Sequence, residues 1–337
     1  MKTIVCVQPE QFEMTETELS VRRAGEALVK VRRIGVCGTD YHAYRGKQPY
    51  FEYPRILGHE IAGEIVDIDP NSRGIQKGDY VTVIPYLTCG NCVACRNGKG
   101  NCCIELKVIG CHVDGAMREY ITVPEDYVVK AEGLSLEQIV IIEPMSIGLH
   151  AVNRAQVRRD EFVLVIGAGP IGLAAMKFAK LAGAKVIAMD INEDRLRFCQ
   201  EWADVDDTIQ ATGDVIADLA RVTEGSFPTT VIDATGNAKS MNSTFEYAAH
   251  GGKVVYVSLV QADITFYDPD FHKKELTLLG SRAATKEEFD YVIQCLRANQ
   301  IHAEAFITHQ APIDQAIEQF QHWLSPPSGL IKALITL

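Results

Sequence analysis

Residues 161–190, EFVLVIGAGPIGLAAMKFAKLAGAKVIAMD, decide the fold of this chain. Residues 162–166 are an almost wholly apolar run, which is typical of a strand buried on both faces of a parallel sheet. The pattern G-x-G-x-x-G follows at 167–172, and an alanine-rich helix continues from it to Gly183. A second apolar strand then ends at Asp190. This order of strand, glycine turn, helix and strand predicts a unit that binds a dinucleotide.

The glycines of this turn have separate predicted roles. Gly167 permits the tight turn, Gly169 lets a pyrophosphate approach the backbone, and Gly172 lets the helix pack close to the strand. The helix that opens there points free N–H groups at the phosphates. The predicted cofactor-binding residues are Gly167, Gly169, Pro170, Ile171, Gly172, Asp190 and Arg195.

Asp190 determines which cofactor we expect. A carboxylate at the end of the second strand accepts hydrogen bonds from the adenosine ribose, whereas proteins that bind NADP usually need a cation there. The sequence therefore predicts NAD. The alternative for Asp190 is an ordinary turn or capping residue.

Length and composition are those of a globular protein with two domains. A chain of 337 residues is too long for one ordinary core. Its net charge of -11 argues against nucleic acid or an anionic membrane as a partner. No apolar run approaches the ~20 residues of a membrane span, and the apolar N-terminal run is too short for a signal peptide. We therefore expect a cytoplasmic protein.

Three segments differ in their pattern. Residues 1–150 carry alternating strands of the antiparallel kind, residues 151–284 alternate strands with helices, and residues 285–337 return to the first domain. The predicted fold class is α/β, with a discontinuous, mostly β domain and a doubly wound parallel sheet. The local predictions are a helix over 135–153 interrupted at Pro144, a turn at 325–329, and either a dimer edge or an internal strand at 254–259.

Four cysteines in a short lobe have the spacing of a metal site. Cys89-x-x-Cys92-x-x-Cys95 is followed by Cys103, and the loops between them carry glycines that let the chain wrap around an ion. Four thiolates with no open position are typical of structural zinc. Cys102 beside Cys103 leaves the fourth ligand open at this point. Buried small hydrophobes are the interpretation for the cysteines in apolar or helical settings, which are Cys6, Cys111, Cys199 and Cys295.

A second set of metal-ligand residue types is spread over the first domain. Cys37 lies in GVCGTDYH, His59 and Glu60 lie in GHE, and Glu143 precedes Pro144. A thiolate, an imidazole and carboxylates can hold zinc while leaving a position for water or substrate. Each of these residues alone is more often structural. Together with a dinucleotide unit they predict a dehydrogenase, in which zinc polarises an alcohol oxygen and the nicotinamide takes the hydride.

These motifs, in this order and spacing, resemble the zinc-dependent medium-chain alcohol dehydrogenase family over essentially the whole chain. The resemblance implies a GroES-like catalytic domain, residues 1–150 and 285–337, and a Rossmann domain, residues 151–284. It also implies two zinc ions per subunit, one structural and one catalytic, and a homodimer or homotetramer. By resemblance the structural ligands are Cys89, Cys92, Cys95 and Cys103, which leaves Cys102 out.

The catalytic roles follow from the same resemblance. Cys37, His59 and Glu60 are expected to hold the catalytic zinc, and Glu143 either ligates it or holds its water. The proton of the substrate hydroxyl is expected to leave through Thr39, the cofactor ribose and His42. From the residues alone, Thr39 is also a candidate helix N-cap and His42 a solvated surface residue. Asp40 is expected to fix the loop.

The substrate prediction rests on a closer resemblance, to the sorbitol dehydrogenase branch and to bacterial sugar-acid dehydrogenases of the L-galactonate/L-gulonate 5-dehydrogenase kind. Residues 44–54, 268–275 and 280–282 carry it. It implies transfer of hydride from a secondary hydroxyl of a sugar acid or polyol to NAD. By resemblance Tyr44 and Arg282 line the substrate pocket, and an arginine can fork onto vicinal hydroxyls or a carboxylate. Lys47 and Lys273 are weaker candidates for a carboxylate.

Other functions stay open at this point. Within the same class, the chain is a candidate sorbitol or other polyol dehydrogenase, or an L-threonine dehydrogenase. A non-catalytic nucleotide-binding protein, such as a redox sensor, predicts an altered metal site, and the intact set of ligand residue types speaks against it. A zinc-free quinone reductase lacks both zinc sets, so the sequence disfavours it.

Overall fold

The computed structural model describes residues 1–19, 21–48, 51–324 and 329–337. The chain forms two compact units, the first made of Met1–Glu143 with Thr285–Leu337 and the second of Pro144–Ala284. The predicted division after residue 150 falls inside the helix Ile142–Ala155. Among the described residues, no helix is both long and apolar enough to cross a membrane. Pro49, Tyr50 and residues 325–328 of the predicted turn lie outside the described residues.

The second unit is built on a six-stranded sheet in which every neighbouring pair is parallel. The strands follow one another across the sheet in the order Asp207–Gln210, Lys185–Asp190, Phe162–Ile166, Thr230–Asp233, Lys253–Tyr256 and Thr277–Gly280. The chain order reverses at the central strand Phe162–Ile166, so a crevice forms beyond its carboxyl end, where ligands bind in doubly wound folds. The predicted doubly wound parallel sheet is confirmed.

Helices connect these strands. Their bounds are Pro170–Leu181, Glu193–Phe198 continued by a π-helical turn at Cys199–Ala203, Val215–Val222, Ala238–Tyr247 and Asp268–Lys273. The prediction of a sheet edge at 254–259 is wrong, because Lys253–Tyr256 pairs on both sides. Its alternative, an internal strand, is what the structure has. The edge of this sheet is Thr277–Gly280 instead.

The first unit contains a largely antiparallel sheet of seven strands. Along the sheet they run Ile307–Pro312, Lys332–Thr336, Glu26–Val36, Glu60–Ile68, Tyr80–Val83 and Val128–Lys130, and Tyr120–Pro124 pairs with Glu26–Val36. Two small sheets pair Lys2–Gln8 with Gln11–Glu16 and Tyr86–Leu87 with Lys107–Val108. The last strand of the chain therefore lies directly beside Glu26–Val36 in the first unit.

Short helices complete this unit. Their bounds are Gly38–Tyr44, Val93–Arg96, Leu136–Val140, Lys286–Arg297, Ala303–Phe306 and Ala316–Leu324, with 3-10 turns at Gly100–Cys102, Glu125–Tyr127 and Ile313–Gln315. The predicted interruption at Pro144 is wrong, because the break lies at Ile141 and the helix Ile142–Ala155 runs through the proline. Pro144 falls in the first turn of that helix, where a missing N–H costs no helical hydrogen bond.

Candidate zinc and nucleotide sites

Cys37 lies where a strand turns into a helix. The strand Glu26–Val36 ends just before it, and Cys37 is the N-cap residue of the helix Gly38–Tyr44. Asp40 in the first turn of this helix accepts a hydrogen bond from the Cys37 N–H through Oδ2 at 2.9 Å. Its Oδ1 accepts one from the Gly58 N–H at 3.2 Å. Asp40 therefore ties the Cys37 loop to the loop that carries His59, as expected for a residue that fixes the loop.

Strand register brings the next two residues to Cys37. Gly35 is paired with Glu60 in the antiparallel ladder. Cys37 follows Gly35 by two residues, so this pairing brings Cys37 beside His59 and Glu60. One ligand atom from each of Cys37, His59 and Glu60 lies within 4.8 Å of the others. His59 and Glu60 are 5% and 0% exposed. A β-carbon at Gly35 would lie 1.9 Å from Glu60 Oε2, so only glycine leaves room for the carboxylate.

The chemistry of this group fits zinc. Sulfur, imidazole nitrogen and carboxylate oxygen are the donors that zinc takes, and three protein donors leave a fourth position open. The buried His59 Nδ1 has no hydrogen-bond partner, and it lies 4.0 Å from Asp40 Oδ1. Burial opposes a positive charge on His59, but Cys37, Asp40 and Glu143 outweigh it and raise its pKa well above the ordinary value. Surrounding anionic groups therefore favour a cation at this site.

Glu60 is also held from outside the group. Lys332 Nζ donates to Glu60 Oε1 at 2.7 Å and to Oε2 at 2.8 Å, and it also donates to the Val36 carbonyl at 3.2 Å. Both side chains are buried, at 2% and 0% exposure. Burial opposes the charge of Lys332, yet Glu60 and then Cys37 raise its pKa above the ordinary value. The carboxylate of Glu60 is thus oriented by an ion pair that strand Lys332–Thr336 supplies.

Glu143 lies in the same buried surroundings. It is 4% exposed, in the first turn of the helix Ile142–Ala155, and its Oε1 accepts a hydrogen bond from the Tyr86 hydroxyl. Burial raises the pKa of Glu143, Glu60 raises it further, and His59 opposes the change. Glu143 is not part of the group whose ligand atoms lie within 4.8 Å of one another. Its two predicted roles, as a ligand or as the residue that holds the zinc-bound water, therefore both remain predictions.

The four predicted structural ligands converge in the lobe after strand Tyr86–Leu87. One sulfur from each of Cys89, Cys92, Cys95 and Cys103 lies within 4.8 Å of the others. The Sγ atoms of Cys103 and Cys89 are 3.4 Å apart, and those of Cys92 and Cys95 are 3.5 Å apart. A tetrahedron with Zn–S bonds of ~2.3 Å has edges of about 3.8 Å, so the arrangement fits one zinc ion.

The backbone of this lobe favours a thiolate at two of the four cysteines. The N–H groups of Cys95 and Ile104 lower the pKa of Cys92, and the N–H of Cys89 lowers the pKa of Cys103. Burial and then the neighbouring thiols raise the pKa of Cys95 to about 12. Cys102 is exposed and is not part of the group. The other cysteines, Cys6, Cys111, Cys199 and Cys295, are buried, as expected for small hydrophobes.

The glycine turn has the geometry that its sequence predicts. Gly167 has a φ of +98°, in the region that favours glycine. A β-carbon at Gly172 would lie 1.8 Å from the Gly167 carbonyl oxygen, so the close approach of helix and strand requires glycine there. Gly169 is the N-cap of Pro170–Leu181, and a β-carbon on it would meet nothing within 4 Å. The turn therefore leaves open space in front of a helix N-terminus that begins with Pro170 and Ile171.

Asp190 lies beside this turn, and Arg195 lies on the helix that follows Asp190 in sequence. Asp190 ends strand Lys185–Asp190, and its carboxylate accepts hydrogen bonds from the Ala168 N–H at 2.7 Å and the Asn192 N–H at 2.9 Å. A carboxylate has about four lone-pair positions, so acceptor capacity remains for a ribose. Arg195 is half-buried in the first turn of the next helix. Asp190 thus fixes the turn, and its contact with a cofactor stays a prediction.

The remaining predicted residues have mixed outcomes. Thr39 follows the N-cap Cys37 by two residues, so it is not the cap itself. His42 is exposed on the same helix, and Arg282 is exposed directly beyond strand Thr277–Gly280. Tyr44 belongs to the core of the first unit. It is 4% exposed, its ring packs against Phe12 and Phe320, and its hydroxyl donates to the Glu10 carbonyl. Its predicted place in the substrate pocket stays a prediction.

Comparison with known families agrees with this arrangement. Residues 23–133 match the family described as the alcohol dehydrogenase GroES-like domain, and residues 170–298 match the family described as zinc-binding dehydrogenase. The chain is a zinc-binding dehydrogenase. As a member of this family it is an oxidoreductase that acts on CH–OH donors, and the predicted GroES-like and Rossmann architecture is confirmed.

Individual relatives of this zinc-binding dehydrogenase cover its whole length. It is 41% identical to an L-galactonate-5-dehydrogenase from Escherichia coli K12, over 100% of this chain and 99% of the relative. It is 30% identical to a 2-dehydro-3-deoxy-L-galactonate 5-dehydrogenase from Pseudoalteromonas atlantica, over 96% and 95% of the two chains. A solved structure described as a short chain alcohol dehydrogenase (rspB) from E. coli CFT073 complexed with cofactor NADH is 31% identical. It has a TM-score of 0.92 and covers 100% of this chain and 99% of that chain.

Sequence reasoning missed two residues of this zinc-binding dehydrogenase. Tyr86 and Lys332 were not singled out, and both contact carboxylates of the candidate catalytic zinc site. A tyrosine after Pro85 and a lysine in an apolar C-terminal strand carry no metal-ligand pattern. The sequence signal for Lys332 was its charge within an apolar strand that is predicted to be buried, since a buried lysine usually has a charged partner.

Proposed function

We propose that this chain oxidises a secondary hydroxyl of a sugar acid of the L-galactonate or L-gulonate type, with a catalytic zinc and NAD. The observation that carries the proposal is the full-length similarity to an L-galactonate-5-dehydrogenase. The assembled Cys37, His59 and Glu60 group and the glycine turn with Asp190 support it.

The ligand set that we propose for zinc is the one predicted from the sequence. Cys37, His59 and Glu60 hold the catalytic ion, with Glu143 as ligand or as holder of its water, and the four-cysteine lobe holds the structural ion. When bound, zinc polarises the substrate hydroxyl and NAD accepts the hydride. The side chains of this chain orient the site and transfer the proton.

Those side chains orient the site and move the proton. Asp40 fixes the Cys37 loop, and Lys332 fixes Glu60. Thr39 and His42 are three residues apart on the helix Gly38–Tyr44, which places them on one face of it. We propose that Thr39 accepts the hydroxyl proton while it passes on its own hydroxyl proton, and that the exposed, neutral His42 takes up the relayed proton and releases it to water.

Arg282 is our candidate for recognising the substrate carboxylate. It is exposed and follows strand Thr277–Gly280, at the carboxyl edge of the parallel sheet where ligands bind in this type of fold. A guanidinium forks onto a carboxylate through two parallel hydrogen bonds. Lys47 and Lys273 are exposed as well and remain weaker candidates.

A panel of substrates tests the function. Purified, zinc-replete protein is assayed for NADH formation with L-galactonate, L-gulonate, sorbitol, L-arabinitol, L-threonine and simple alcohols, with NADP in parallel. We expect turnover of one aldonate with NAD. Turnover of a polyol or of L-threonine instead would keep the zinc mechanism and reject the sugar-acid assignment.

Two variants sharpen this test. Arg282→Leu is expected to raise the KM for the aldonate at least about 10-fold, because a charge-assisted hydrogen bond contributes ~1.5–3 kcal/mol. Lys286→Leu, which removes an exposed cation nearby in sequence that has no proposed role in binding, is the matched control and should leave that KM unchanged. Equal effects of the two variants would contradict the role of Arg282.

We also propose that the chain forms a homodimer or homotetramer. Thr277–Gly280 pairs on one side with Lys253–Tyr256, and the described residues provide no strand on its other side. Leu278 on this strand is 41% exposed. An uncovered edge strand offers a row of unpaired N–H and C=O groups to a second copy. The molar mass in solution, measured by light scattering, tests this, and a monomer would contradict it.

A further inference from the structure

Tyr86 is a buried tyrosine that the reaction described above leaves without a role. It begins the two-residue strand Tyr86–Leu87, is paired with Val108, and lies just ahead of the four-cysteine lobe. Its side chain is only 6% exposed. A buried phenol needs a partner for its O–H, and here the partner is the Glu143 carboxylate oxygen Oε1.

The surroundings of Tyr86 are those of the candidate catalytic zinc. Besides Glu143, the charges that act on its hydroxyl come from Cys37 and Glu60. The geometry of the contact gives its direction, because the Tyr86 O–H donates to the Glu143 carboxylate oxygen Oε1.

This contact restricts what Glu143 can do. The carboxylate is buried at the start of the helix Ile142–Ala155, and one of its two oxygens is engaged by the phenol. Lone pairs on the carboxylate remain for a metal ion or for its water. A hydrogen-bond donor that holds a metal-binding group sets the orientation and the basicity of that group.

We infer that Tyr86 is a positioning residue that fixes the Glu143 carboxylate toward the site formed by Cys37, His59 and Glu60. The inference rests on the proposed catalytic zinc. Tyr86 itself touches neither substrate nor cofactor in this role and acts through Glu143. With the phenol bound to Oε1, the remaining lone pairs of the Glu143 carboxylate are the ones left for the zinc or for the water.

The test measures the metal site directly. Wild-type protein, Tyr86→Phe, Glu143→Gln and the double variant are titrated with a zinc chelator, and zinc per chain is followed. Co²⁺ is then placed in the catalytic site, and its visible spectrum, which reports the ligand set, is recorded. Tyr53→Phe is the matched control, because it removes a hydroxyl that donates to the Ala43 carbonyl in the same unit.

We expect Tyr86→Phe to lower the zinc affinity of the catalytic site ~10–100-fold, which is the usual effect of removing a hydrogen-bond partner of a group that binds a metal or its water. The structural zinc of the four-cysteine lobe should stay bound, and the Co²⁺ spectrum should shift. Tyr53→Phe should match the wild type in both measurements. In the double variant the loss should not exceed that of Glu143→Gln alone, since both changes act on one contact.

Different failures have different meanings. A wild type that binds a single zinc, in the four-cysteine lobe, would overturn the proposed catalytic site and this inference with it. A wild type with two zinc ions, whose affinity and Co²⁺ spectrum are unchanged in Tyr86→Phe, would overturn this inference alone. Additive losses in the double variant would also overturn it, because Tyr86 would then act independently of Glu143.

Discussion

At the scale of single residues, the candidate catalytic zinc site and the glycine turn each contain a position where a single β-carbon would clash with a neighbouring group. Gly35 leaves room for the Glu60 carboxylate, and Gly172 leaves room for the Gly167 carbonyl. Gly169 differs from both, since a β-carbon there meets no protein atom within 4 Å. Packing therefore does not require glycine at position 169, and the absence of a side chain leaves room for the proposed cofactor.

Alanine at Gly169 and alanine at Gly172 are therefore expected to have opposite effects on stability and on cofactor binding. Gly169→Ala should fold as the wild type does, because its φ of -82° suits alanine, yet it should weaken NADH binding through the methyl group that the pyrophosphate meets. Gly172→Ala should lower the melting temperature, because its β-carbon lies 1.8 Å from a backbone oxygen. Thermal unfolding and NADH fluorescence titration check both. Full NADH affinity in Gly169→Ala would contradict a pyrophosphate at this turn.

His42 predicts the pH dependence of the reaction. Although the His42 side chain is exposed overall, loss of water around part of its ring, then the charges of Arg45 and Lys47, lower its pKa below the ordinary value. A proton acceptor must be neutral, so the rate of alcohol oxidation should fall as the pH drops through the lowered pKa of His42, and His42 should be competent at neutral pH. His42→Gln should slow oxidation by up to about 100-fold, the lower range for positioned acid–base groups.

The measurement is the rate of NADH formation against pH for both proteins. We expect the acid-side decrease that belongs to His42 to disappear in His42→Gln. Parallel profiles of equal height would show that the proton leaves by another route.

At the scale of elements, strand register and helix starts bring the ligands together. The pairing of Glu26–Val36 with Glu60–Ile68 places Cys37 beside His59 and Glu60, and the last strand adds Lys332 from 272 residues away in sequence. A strand that returns from the far end of the chain therefore orients Glu60, a proposed ligand of the catalytic zinc.

Lys332→Ala tests this element. Removing one partner of a buried ion pair leaves the other charge uncompensated, so the free energy of unfolding should fall by about 3–5 kcal/mol. The control is Lys2→Ala, which breaks an exposed pair with Asp314, with side chains 44% and 62% exposed. That change should stay below about 1 kcal/mol. Urea unfolding of the proteins without catalytic zinc compares them, because a bound ion would itself compensate Glu60, and equal losses would contradict the buried ion pair.

Sequence patterns predicted the elements that carry motifs and missed contacts between distant segments. The parallel sheet, the glycine turn and the four-cysteine lobe each lie in one continuous stretch, where spacing alone specifies the structure. Tyr86 and Lys332 meet their carboxylates only through the topology of the sheet, which no local pattern encodes. The burial of Tyr44 could not be predicted either, because a tyrosine in a short helix has the same local sequence pattern whether it faces a pocket or the core.

At the scale of the whole molecule, the chain combines a GroES-like unit with two metal-ligand clusters and a unit with a dinucleotide turn. The family supplies the reaction class, hydride transfer from a CH–OH donor. The choice of substrate then depends on side chains such as Arg282, which the fold does not determine. The central claim is therefore that zinc held by Cys37, His59 and Glu60 drives oxidation of a sugar acid by NAD.

The direct test is the initial rate of NADH formation from L-galactonate and L-gulonate, measured for the wild type and for Cys37→Ala. Zinc per chain is determined in the same samples. The account predicts two zinc ions and turnover of one of these aldonates in the wild type. Cys37→Ala should retain the zinc of the four-cysteine lobe, lose the second ion and lose turnover. A Cys37→Ala variant that oxidises the aldonate at the wild-type rate would contradict the account.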